Sequence, residues 1–182
     1  LQAALEVHAK LAEKNQNNAG FQLELSKSHD NVGSLYLYLN NINEASEHLQ
    51  AAFVIFRKLE KLDPDNADYK RCLSISYDNL GHLQLRLGNT EDALKHFQRA
   101  LQIRNDIARK YPSNSDFQRD IFVSFANLAD TALSTGHKLT ALAHYQQALD
   151  KLQDMQRVGI LANEDTHYIE VLQQKILELS AR

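Results

Sequence analysis

The chain has 182 residues, 43% of them hydrophobic, a formal charge of −3 and one cysteine. It has no basic surplus that would grip nucleic acid or an anionic membrane, no uninterrupted apolar run able to span a bilayer, and no cysteine pair for a disulfide. Six glycines and two prolines favour long helices joined by short connections.

Read from the N-terminus, Leu1-Gln2-Ala3-Ala4 matches Leu49-Gln50-Ala51-Ala52, 48 residues later. Residues 1–15 therefore read as the second helix of a repeat whose first helix lies upstream. With no initiating methionine and no leader, the sequence reads as a piece of a longer chain. Asp30-Asn31-Val32-Gly33 returns 48 residues on as Asp78-Asn79-Leu80-Gly81, and again, more loosely, as Ala126-Asn127-Leu128-Ala129. The same spacing holds for Ala45, Ala93 and Ala141, for Ala52, Ala100 and Ala148, and for Ser28, Ser76 and Ser124. A fixed period with no insertion over three copies is the mark of a solenoid, in which each unit buries its apolar face on its neighbours.

Each copy carries two apolar stripes at helical spacing. In the second copy Tyr69, Leu73, Tyr77, Leu80 and Leu83 form one, and Ala93, Leu94, Phe97, Ala100, Leu101 and Ile107 the other. Asn40, Gly88 and Gly136 fall between the stripes, where the left-handed conformation closing a helix favours these residue types. Thr90, followed by Glu91 and Asp92, reads as an N-cap with an acidic first turn. Pro64 and Pro112 end the second helices, and Ser113 to Asp116 resembles a capping box. Gly33 and Gly81 sit inside helices, where each costs about 1 kcal/mol relative to alanine. Close approach of the partner helix, whose facing residues are the repeated alanines, explains their presence. The boundaries that follow are 1–15 for the truncated repeat, 18–65, 66–113 and 114–160 for three whole ones, and 164–181 for a capping helix or the start of a further repeat. Glu170, Gln173 and Lys175 on an outer face favour the cap.

These residues resemble the tetratricopeptide repeat: Leu80-Gly81 in the first helix, Gly88 in the turn, then Ala93, Phe97 and Ala100 in the second. The other copies read Val32-Gly33, Asn40, Ala45, Leu49, Ala52 and Leu128-Ala129, Gly136, Ala141, Tyr145, Ala148. His29, Tyr77 and Phe125 stand where the family has an early tryptophan. The usual period is about 34 residues, so each helix here gains close to two turns, as in the long-helix arrays of kinesin light chains and multidomain bacterial proteins. The resemblance implies an all-α fold, a right-handed α-solenoid of antiparallel helix pairs with about eight helices, forming one array over 1–182.

In that family the first helices line a concave groove. The corresponding positions are Lys27, Asp30, Asn31, Ser34 and Tyr38, then Ile75, Asp78, Asn79, His82 and Arg86, then Val123, Ala126, Asn127, Asp130 and Ser134. Asn31, Asn79 and Asn127 would form a ladder of amides able to donate to and accept from an extended peptide backbone. Asp30, Asp78 and Asp130 would make the groove acidic, which favours a neutral or basic segment and disfavours a carboxylate clamp. His48, His96 and His144 repeat on successive units too far apart to converge on one metal ion, and read as a surface stripe. Cys72 has no base partner in the sequence and reads as a small filler near the groove wall. No phosphate loop, zinc-ligand pair or nucleophile elbow is present. The expectation is a cytoplasmic, non-catalytic scaffold without cofactor or metal, docking a peptide or helix of another protein. The alternatives are a regulatory or oligomerisation module acting on an attached effector or on itself, and a small-peptide sensor.

Overall fold

The computed structural model describes residues 1–181. Among them lie eight α-helices and one short 3₁₀ turn, without a strand: α1 (Gln2–Lys14), α2 (Ala19–Tyr38), α3 (Ile42–Leu62), α4 (Ala67–Arg86), α5 (Thr90–Lys110), α6 (Ser115–Ser134), α7 (Lys138–Arg157) and α8 (His167–Ser180), with the turn at Asn163–Asp165. The first helices α2, α4 and α6 begin at residues 19, 67 and 115, so the period of the sequence is the period of the helices.

Local chemistry fixes the helix ends. The residues before α2, α4 and α6 are Asn18, Asn66 and Asn114, and each side-chain oxygen accepts a backbone N–H of the first turn. This satisfies donors that have no partner inside the helix. The capping residue of α6 is thus Asn114 and not Ser113, and the periodic trio of asparagines is the sequence signal for these caps. Thr90 is the first residue of α5 rather than its cap; the Asn89 carbonyl accepts the Ala93 N–H at 3.1 Å. Asn40, Gly88 and Gly136 have φ of 61°, 81° and 78°, as their residue types imply. The double bond of a Schellman turn accompanies each, for instance Asn89 N–H to the Gln84 carbonyl at 2.8 Å and Gly88 N–H to that of Leu85 at 3.1 Å.

The chain divides into two compact units, Leu1–His96 and Phe97–Arg182. In the first, α2 packs along α1 and α3, and α3 along α4. Leu37, Ala45, Leu49, Leu80 and Leu83 form a buried cluster there. Gly33 allows the close approach of α2 to α3: a methyl group at that position would lie 2.7 Å from Leu49 Cγ and 3.0 Å from the Leu49 backbone nitrogen. The second unit packs α7 against α6 and α8 around Phe122, Ala129, Ala141, Tyr145, Ala148, Leu152, Met155 and Leu172.

The repeated histidines are not a surface stripe. Each is half-buried against an aromatic residue on the first helix of its own repeat: His48 against His29, His96 against Tyr77, His144 against Phe125, with ring centroids 5.2, 5.9 and 6.2 Å apart. The partners occupy the place of the family's tryptophan, so the histidines belong to the packing between paired helices. Lys175 is likewise not on an outer face. It is half-buried, with Nζ 3.0 Å from Asp130 Oδ1 and 4.8 Å from the Tyr145 ring centroid, and it fastens α8 to α6 and α7.

Candidate functional site

In the first unit, Lys27, Asn31, Ser34 and Tyr38 recur at intervals of four, three and four along α2, and Ile75, Asn79, His82 and Arg86 do the same along α4. This spacing puts each set on one helix face. A concavity of about 300 Å³ opens there, lined by Lys27, Asp30 and Asn31 of α2, Arg71, Cys72 and Ile75 of α4, and Phe56 of α3. Arg71 lies one turn before Ile75, so the spacing that selected Ile75 would have found it too. Asn31, Tyr38, His82 and Arg86 are exposed, Tyr38 at 82%, while Lys27, Ser34, Ile75 and Asn79 are half-buried. Lys27 also forms a 3.0 Å surface pair with Glu24.

The aspartates behave differently from their asparagine neighbours. Asp30 is only 8% exposed and Asp78 6%. Asn79 Nδ2 donates to Asp30 Oδ2 at 2.8 Å, tying the first helix of one repeat to that of the next. The other Asp30 oxygen is buried without a hydrogen bond. Burial pushes the Asp30 carboxyl up to about 6, against the lowering influence of Asn79 and of the neighbouring Ser76. Burial also raises the Cys72 thiol above its usual range, which suits a packing role and not a nucleophile.

In the second unit, Asn127 is half-buried and Ser134 exposed, and Val123 and Ala126 pack against the hydrophobic core. Asp130 is exposed but engaged: it accepts from the Tyr145 hydroxyl and from Lys175. An acidic strip over three copies is therefore not what the structure presents. Asp30 and Asp78 are withdrawn from the surface and Asp130 is paired with a lysine. The sequence places all three on or beside the groove face, but helical spacing gives an angle around the axis and not the depth of cover contributed by the neighbouring helix.

Among the described residues no group of three or more His, Cys, Asp or Glu could hold a metal ion, and no helix is long and apolar enough to cross a membrane.

Helix pairs of constant length, joined by Schellman turns and repeated at a fixed period, define a helical-repeat protein. The tetratricopeptide repeat family model matches residues 31–106 of the chain, which supports a tetratricopeptide repeat protein. No curated protein matches the chain. Repeats of this family generally mediate protein–protein interaction and are typically non-catalytic.

Proposed function

We propose that the chain is an interaction scaffold that docks a largely neutral peptide or helical segment of a partner protein on the first-helix face. The observation that carries this is the concavity of about 300 Å³ between α2 and α4, with the exposed Asn31 amide on its wall. A side-chain amide pairs with both N–H and C=O of an extended segment, and an exposed tyrosine supplies a rigid apolar anchor at little entropic cost. Asn31 and Tyr38 are the contact residues; Ser34, His82 and Arg86 form the rim, and Lys27 lies beside Asn31. Asn79 acts indirectly, because its amide is engaged with Asp30.

Peptides selected from a displayed random library against the whole chain, then measured in solution, test the reading. Asn31→Ala with Tyr38→Ala weakens the selected peptides at least about tenfold, a loss of about 1.4 kcal/mol. Both side chains are exposed, so the melting temperature stays close to that of the parent. Unchanged affinity in the double variant would place binding elsewhere and overturn the assignment.

A further inference from the structure

The outer face of α3 has a composition that its repeat-mate does not share. Arg57, Lys58 and Lys61 are exposed on its last turns, and among the described residues none has a carboxylate partner; Arg57 lies 5.8 Å from the Phe53 ring centroid. Val54, 51% exposed, and Leu62, 69% exposed, share that face. Spacings of three and four along 54, 57, 58, 61 and 62 make it continuous. Two concavities flank it and meet at Lys58. One, of about 580 Å³, is floored by Ile55, Leu59 and Leu62 and rimmed by Gln16, Asn17 and Gln22; the other, of about 250 Å³, is lined by Phe53, Val54, Arg57 and Lys61.

A cation in the last turn favours any helix by offsetting the negative end of its dipole. That accounts for Lys61. It does not account for Arg57 and Lys58 a turn earlier, nor for the exposed valine and leucine. Forty-eight residues on, the same positions read Gln102, Asn105, Asp106, Arg109 and Lys110, and there Arg109 pairs with Asp106 of its own helix at 3.2 Å. The repeat therefore does not require the basic and apolar face of α3.

We infer that this face of α3 is a second docking surface, which takes an acidic amphipathic segment of a partner protein. The three cations, without a carboxylate partner among the described residues, set the charge of the segment. Val54 and Leu62 are eight residues apart, about 12 Å along the helix, so two apolar side chains of a bound helix, seven or eight positions apart, reach the two concavities. Apolar groups that floor concavities favour inserted side chains over a lipid surface, which selects apolar residues projecting past the charges. This surface lies on a second helix of the repeat and does not depend on the first-helix site.

The test is fluorescence anisotropy of the whole chain with a labelled glutamate-rich helical peptide carrying two leucines seven positions apart, at physiological salt. The triple variant Arg57→Glu, Lys58→Glu, Lys61→Glu binds at least about tenfold more weakly. Replacing both peptide leucines by glutamine produces a similar loss, and Asn31→Ala with Tyr38→Ala leaves binding unchanged. Circular dichroism establishes that the triple variant is folded; should it not be, Lys58→Glu alone is measured and gives the same direction. Overturning results are no binding by the parent chain, equal binding of a lysine-for-glutamate peptide, or indifference to the charge reversal. Capture of phosphatidylserine vesicles with no affinity for the peptide would also overturn it, by assigning the face to a lipid surface.

Discussion

Asp30 and Asp165, one buried carboxylate from each unit, are treated in opposite ways. Asp165, just before α8 in the second unit, is 1% exposed, and both its oxygens accept from Arg119 Nε, at 2.9 and 2.7 Å. Asp30 in the first unit is 8% exposed, has one oxygen bonded to the neutral Asn79 amide and the other without a hydrogen bond. Burying a charge is costly unless it is paired and hydrogen-bonded. Asp165 meets that condition and anchors a segment. Asp30 meets it only in part, and its carboxyl is pushed up to about 6. The two show that burial alone does not reveal a carboxylate's task. One joins a chain segment to a helix, while the other links successive repeats beside the proposed groove and holds its proton unusually well.

The largest expected effect removes the compensation from the first of these. Arg119→Ala leaves Asp165 buried and uncompensated, which would make it resemble Asp30 in excess. A loss of about 3 kcal/mol is expected, read by urea denaturation followed through the second unit. A loss below about 1 kcal/mol would mean that α8 is held chiefly by its other contacts, Tyr168 against Phe122 and Lys175 against Asp130 and Tyr145.

The opposite manipulation neutralises Asp30. Its folded pKa is raised from 3.8 to about 6, so its contribution to stability is fully present below the unfolded value and is lost as pH rises through the folded one. Asp30→Asn therefore stabilises the first unit at pH 8 by about 2 kcal/mol and has little effect near pH 4. His29 works in the other direction. Burial and the neighbouring His48, whose Nδ1 is 2.9 Å from that of His29, lower its pKa, so its contribution is present above the unfolded value of about 6.5 and lost as pH falls. Melting the Asp30→Asn variant across pH thus exposes a loss of stability in acid that the two opposing titrations mask in the parent. A pH profile unchanged by the substitution would show that Asp30 titrates normally.

The smallest effect sharpens the contrast between the two partners. Asn79→Ala removes the amide that donates to Asp30 Oδ2, at an expected cost of about 1–2 kcal/mol at neutral pH, and the cost shrinks in the Asp30→Asn background if the two act as a pair. Additive losses in that double-mutant cycle would separate them.

The sequence by itself determined the period, the helix pairs and their ends. Those features depend on local chemistry: glycine or asparagine where φ is positive, an amide at each first-helix start, and apolar residues at helical spacing. Gly33 was legible for the same reason, since a glycine inside a helix needs a close neighbour to justify it. The asparagines at 18, 66 and 114 keep the same 48-residue spacing and carry the caps, although Ser113 beside the last of them is an equally good capping residue type.

What only the tertiary structure decided is which groove residues remain available. Asp30 and Asn31 are adjacent letters of one repeated word, about 100° apart around the helix. The structure covers the first with Asn79 of the next repeat and leaves the second exposed. The same holds for Lys175, whose position in the sequence suggested solvent and whose place in the fold is against Tyr145 and Asp130. Periodicity gives the direction of a side chain from its own axis. Whether that direction ends in water, in an amide or in a carboxylate depends on the element packed against it, and a repeat of imperfect copies supplies a different answer at each turn.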